Sequence, residues 1–206
     1  MPITGRRAAS ALVAVLLALA SMAAWVSIAP SVGALTQHTA DIFTDEDDGV
    51  CTPGDCSIRE AIGAAEADGD ASEILLLAGT YTVSLGTLEY TTSEPIAFTG
   101  TGAATTIIDA TTPGAPTAMA LSDDAALTGL TLRAASSVAA DTVGVSVDGT
   151  LTTDHVVIEV TSAEAGFEVI GLVVRTAEIT DSTIQVAATA ADADSATANG
   201  LRADDT

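Results

Sequence analysis

Thr128-Gly129-Leu130-Thr131-Leu132, Thr153-Asp154-His155-Val156-Val157 and Thr180-Asp181-Ser182-Thr183-Ile184 each join a threonine and a turn-prone residue to a short apolar run, and they recur at offsets of 25 and 27 residues. A second series accompanies them. Met119-Ala120-Leu121, Val145-Ser146-Val147, Leu172-Val173-Val174 and Leu201 follow one another at offsets of 26, 27 and 29. Two short strands in a unit of roughly 20 to 30 residues describe a solenoid, in which a coil buries its apolar face only by stacking on its neighbours. The spacing is too irregular for a leucine-rich repeat and lacks its asparagine. The expected fold is all-β, a parallel β-helix; a β-sandwich with alternating strands is the alternative.

Working back from the repeat, Ile74-Leu75-Leu76-Leu77 is a continuous apolar run, which predicts a strand buried on both faces. Tyr81-Thr82-Val83 follows a Gly79-Thr80 turn, and Ile96-Ala97-Phe98 and Thr106-Ile107-Ile108 are further short β-rich runs. Earlier still the period changes. Cys51-Thr-Pro-Gly-Asp-Cys56 places a Pro-Gly turn between the two cysteines, and Ser57 with Glu60 forms a capping box ahead of apolar Ile58, Ala61, Ile62 and Ala65. A helix therefore runs from Ile58 to about Ala67, closed at Gly69.

The first 34 of the 206 residues read as a secretory signal peptide: Arg6-Arg7, an apolar run over 8–29, then Val32-Gly33-Ala34 as a cleavage site. An uncleaved anchor is the second reading of that run, which is long enough to span a bilayer. The arginine pair also fits a twin-arginine route. Beyond residue 34 the chain carries 4 arginines, no lysine and 28 acids, a net charge of -24. That excludes nucleic acid and anionic membranes as partners, because both are bound by clustered positive charge. It leaves extracellular glycans or other surface proteins as candidates. In an exported chain, two cysteines with four residues between them read as a Cys51–Cys56 disulfide rather than a zinc site, which would need two more ligands.

The run Asp45-Glu46-Asp47-Asp48-Gly49 is read as a solvated acidic turn, and no cofactor is required. The weaker alternative is calcium, with Glu46, Asp48 and Asp55 at three positions of an EF-hand-like loop; Thr44 stands at its first position and no helix precedes it. Arg59 is expected to pair with Asp55 or with the acidic run.

Gly49-Val50-Cys51 and Cys56-Ser57-Ile58-Arg59-Glu60-Ala61-Ile62 with Ala64-Ala65 resemble the signature of the CSLREA-domain family, with Ile58 in place of its leucine. The likeness continues through residues 73–82 and 99–109, so that it covers about 39 to 110; Glu66 departs from an asparagine common there. The resemblance implies an exported prokaryotic protein whose N-terminal segment caps a right-handed, pectate-lyase-like parallel β-helix, and it brings no activity with it. The expected organisation is a signal peptide over 1–34, a disulfide-pinned cap over 35–70 with Ser57, Arg59 and Glu60 as its helix-capping motif, and coils over 71–206 that continue past the end of the chain. A lid of this kind suits the first coil, whose strand edge and apolar cross-section would otherwise be bare.

Chemistry is sparser. Glycoside hydrolysis needs two placed carboxylates. Asp123-Asp124 is the evident pair on a turn, and Asp154 and Asp181 are read as matched repeat positions. The N-x-D, G-H-G and R-x-K elements of polygalacturonase-like enzymes are missing, and a lyase lacks a well-placed base. His155 is read as a coil position of variable polarity shared with Leu130 and Ser182. The expectation is a secreted or cell-surface protein with a structural, adhesive or glycan-binding role and no catalysis; the alternative is part of a polysaccharide lyase or glycoside hydrolase.

Overall fold

The computed structural model describes residues 35–111, 116–136, 140–163, 167–188 and 197–203, so the leader expected over 1–34 lies outside the described residues. In chain order the elements are β1 (Thr36–Ala40), α1 (Ile58–Asp68), β2 (Ser72–Leu76), β3 (Gly79–Thr82), β4 (Leu88–Tyr90), β5 (Ile96–Thr99), β6 (Thr106–Ala110), β7 (Thr117–Leu121), β8 (Ala125–Thr128), β9 (Thr131–Ser136), β10 (Thr142–Asp154), β11 (Val157–Ser162), β12 (Glu168–Thr180), β13 (Thr183–Ala188) and β14 (Thr197–Ala203). Every pairing between these strands is parallel.

The pairings generate a parallel β-solenoid with three faces. On the first, β1, β2, β5, β8 and the C-terminal parts of β10 and β12 stack in order. The second stacks β3, β6, β9, β11 and β13. The third stacks β4, β7, the N-terminal parts of β10 and β12, and β14. β10 turns from third face to first without a break, its register shifting between Val147 and Thr150.

Each coil thus contributes three strands rather than the expected two. In the later coils the strand missed by the repeat lies on the first face, as the short β8 and as the C-terminal parts of β10 and β12, which are fused to those of the third. The first-face strands β2 and β5 match the expected runs at Ile74 and Ile96, whereas β4 on the third face matches none. The series Met119, Val145, Leu172 and Leu201 is the true third-face register. The other series is not. Asp154 pairs with Thr128 and with Thr180, 26 residues away on either side, so the offsets of 25 and 27 set Thr153 one position out. Its partners are Leu127 and Ile179, and it faces inward, 1% exposed.

Burial follows the period of two expected where one sheet face meets a core. Ile74 and Leu76 are buried while Leu75 is half-buried and Leu77 is 43% exposed, so this strand is covered on one face and not both. A solenoid explains the difference, because its sheets wrap their own core. Gly79 and Thr80 form the start of β3 rather than a turn before it. Inside lie Leu88, Phe98, Ile108, Met119, Leu127, Leu132, Val145, Leu151, Val160 and Leu172, all essentially inaccessible.

The N-terminal end carries the lid. The Ser57 hydroxyl accepts from the Glu60 amide, the Glu60 carboxylate accepts from the Ser57 amide, and Gly69 closes α1 at φ 67°. Ile58, Ala61, Ile62 and Ala65 are buried, and the helix packs on β1, β2 and β4. Cys51 and Cys56 are bridged. β1, the first part of the 35–70 segment, pairs in register with β2 and extends the first face.

Candidate functional site

Two clusters of charged side chains are built by the fold, one in the lid and one at a corner of the coils. In the lid Arg59 reaches the acidic run at Asp45, not Asp55. Its Nε and Nη2 donate to the two Asp45 carboxylate oxygens at 2.9 and 3.0 Å, and Nη1 and Nη2 also donate to the Thr87 and Gly86 carbonyls. Asp45 accepts the Ser84 and Leu85 amides as well, and its side chain is fully covered. Burial alone would raise the affinity of this carboxyl for a proton; the Arg59 hydrogen bond and the two amides outweigh it and hold Asp45 below the usual carboxylate range. One ion pair therefore ties the acidic turn, the helix and the β3–β4 connection together.

The carboxylates of two calcium candidates, Glu46 and Asp48, accept local hydrogen bonds. Glu46 accepts from the Thr44 hydroxyl, and Asp48 accepts from the Val50 amide. Asp48 also faces Glu60: that carboxyl–carboxyl hydrogen bond raises the Asp48 pKa. Glu60 is lowered, because the Ser57 and Asp48 amides outweigh the cost of its burial. Asp55 joins Thr52 through a backbone bridge across the Pro-Gly turn. Glu66, the departure from the family pattern, accepts both the amide and the hydroxyl of Thr91 and links the end of α1 to the first coil.

Asp123 and Asp124 lie on the turn between β7 and β8. Asp123 accepts the Asp124 amide, and Asp124 reaches across to the Thr150 amide of the next coil at 2.7 Å. Both carboxylates thus shape the corner that Gly149 completes, where a Cβ would stand 2.6 Å from the Asp124 Oδ1. Beside them a shallow, mostly apolar groove of about 290 Å³ runs along the first face between Leu35 and Thr152.

The corner from first face to second holds the other cluster. Gly129, His155 and Asp181 occupy equivalent positions in successive coils, each with positive φ, at 60°, 55° and 44°. Their amides continue the ladder: Gly129 donates to the Asp154 carbonyl and His155 to that of Thr180. His155 therefore shares its repeat position with Gly129 and Asp181, not with Leu130 and Ser182, and Asp154 matches Thr128 and Thr180 rather than Asp181. The left-handed backbone turns the His155 and Asp181 side chains outward together. His155 Nδ1 lies 2.6 Å from Asp154 Oδ1 and its Nε2 lies 3.9 Å from Asp181 Oδ2. All three residues offer a ligand atom within 4.8 Å of the others, close enough that the group could hold a metal ion. The signal that could have located it is the 26-residue register, which places positions 155 and 181 side by side.

No protein-family model, curated protein or solved structure matches the chain.

Proposed function

We propose that the chain is an exported surface protein whose solenoid serves a structural or adhesive role, with residues 35–70 acting as a lid of the CSLREA type. The observation that carries this reading is the lid itself: a disulfide-bridged turn and a boxed helix laid over the first coil. A disulfide in so small a loop suits an oxidising compartment. The charged groups set into the lid, Arg59, Asp45 and Glu60, are consumed in holding it together. Asp123 and Asp124 bind turn amides, as corner residues of a scaffold do. The outward side of the first face carries polar side chains hydrogen-bonded from coil to coil, Gln37 and Thr99 both donating to Glu73. Such flat polar strips suit contact with extracellular glycans or with other surface proteins.

The test is to present the purified chain with neutral and acidic glycans and to follow both retention and product formation. Retention without cleavage is expected. Cleavage that Asp123→Ala abolishes would overturn the non-catalytic reading.

A further inference from the structure

We propose that Asp154, His155 and Asp181 form a binding site for a divalent transition-metal ion, with zinc as its reference member, that bridges two successive coils. His155 Nε2 and the Asp181 carboxylate are the ligands. Their separation of 3.9 Å is too long for a hydrogen bond, and turning these exposed side chains toward each other by roughly half an ångström brings the donors to the separation that one tetrahedral ion at about 2.0 Å from each requires. Asp154 is the positioning residue: its 2.6 Å contact with Nδ1 leaves Nε2 free to bind, the arrangement in which a carboxylate orients a metal-ligating imidazole. The imidazole selects the ion class. Carboxylates alone favour calcium or magnesium, whereas a nitrogen donor shifts preference to zinc, nickel or copper.

Two independent features of the fold present these groups to solvent. The register sets position 155 directly beside 181, and the left-handed corner points both side chains outward, where they are 66% and 72% exposed. The chain contains no lysine that could compete for the carboxylates. Solvent fills the remaining coordination positions, so the site is exchangeable and lies open to an oxygen donor from a partner.

Calorimetry of the full chain with Zn²⁺ tests this, with Ca²⁺ as comparator and NMR of the two histidine rings as a second readout. The variants are His155→Asn and Asp181→Asn, because asparagine tolerates the left-handed backbone that both positions require. One Zn²⁺ per chain is expected, with the ring signals of His155 moving and those of His38 unmoved. Either variant should weaken binding by more than about tenfold, and Asp123→Asn should not. The proposal fails if no Zn²⁺ binds, if His155→Asn binds as the parent does, or if Ca²⁺ binds equally well.

Discussion

At the scale of single residues, the contrast between two ion pairs shows which charges hold the fold. Arg59–Asp45 is shielded, with side chains 17% and 0% exposed, whereas Arg133–Glu159 on the second face is 42% and 36% exposed. Arg59→Ala leaves a covered carboxylate without its cation and should cost about 3 kcal/mol. Arg133→Ala should cost under about 1 kcal/mol, since solvent already screens that pair. The same logic sets a pH dependence. A carboxyl whose folded pKa is depressed stabilises the fold above its unfolded pKa, about 3.9 for aspartate and about 4.3 for glutamate, and that contribution is lost as pH falls through the folded value. Asp45 and Glu60 act in this sense; Asp48, raised, acts in the opposite one, its contribution present at low pH and lost as pH climbs through its folded value. Thermal melting from pH 7 to pH 2 should therefore show a steep acid loss that is shallower in Asp45→Asn, which starts from a lower melting temperature at neutrality. A second residue points the other way. The Thr153 hydroxyl is buried with no hydrogen-bond partner among the described residues. Thr153→Val, nearly isosteric, should raise stability by about 1 kcal/mol in denaturant unfolding; a loss would show that the hydroxyl is satisfied.

At the scale of elements, glycines separate close packing from open surface. Gly144 and Gly171 lie on the inner side of the third face, where an added Cβ would meet the carbonyl oxygen of the adjacent coil's glycine at 2.6 Å in each case. Backbone cannot yield as a flexible side chain does, so Gly144→Ala should destabilise by about 1–3 kcal/mol. Gly63, on the exposed side of α1 with nothing near, should gain up to about 1 kcal/mol as alanine. Calorimetric melting of the two variants checks both signs. The same glycines show what was legible in the sequence. The helix declared itself through local chemistry: Ser57, Glu60 and Gly69 act within a few residues of one another, and all three sit as expected. The third-face register was also readable, because leucine and valine recur there without interruption. The first face was readable in its early strands, β2 and β5, but not in the later coils. Its strands are brief, and the threonines flanking the corner make Thr153 and Thr128 look equivalent when their true positions differ by one. A one-residue slip reverses inside and outside, which is why the meeting of His155 with Asp181 stayed hidden.

For the whole molecule, stability passes from coil to coil, since each coil touches only its neighbours. The N-terminal end is closed by α1, whereas the inward positions of the last described coil are open: Ile179 is 42% and Leu201 52% exposed, against 1% for Thr153 and 0% for Leu172 at the preceding coil. The central claim, three parallel faces stacked coil on coil beneath an N-terminal lid, is tested most directly by spin-label distances along one outer column. Gln37, Glu73, Ala97, Ala126, Thr152 and Glu178 are successive register partners on the first face. With one label fixed at Gln37→Cys and the other moved from Ala126→Cys to Thr152→Cys to Glu178→Cys, pulsed electron resonance should show the distance growing by about 4.8 Å at each step. Distances that fail to increase in that order, as in a β-sandwich where these segments would alternate between sheets, would contradict the fold on which the rest depends.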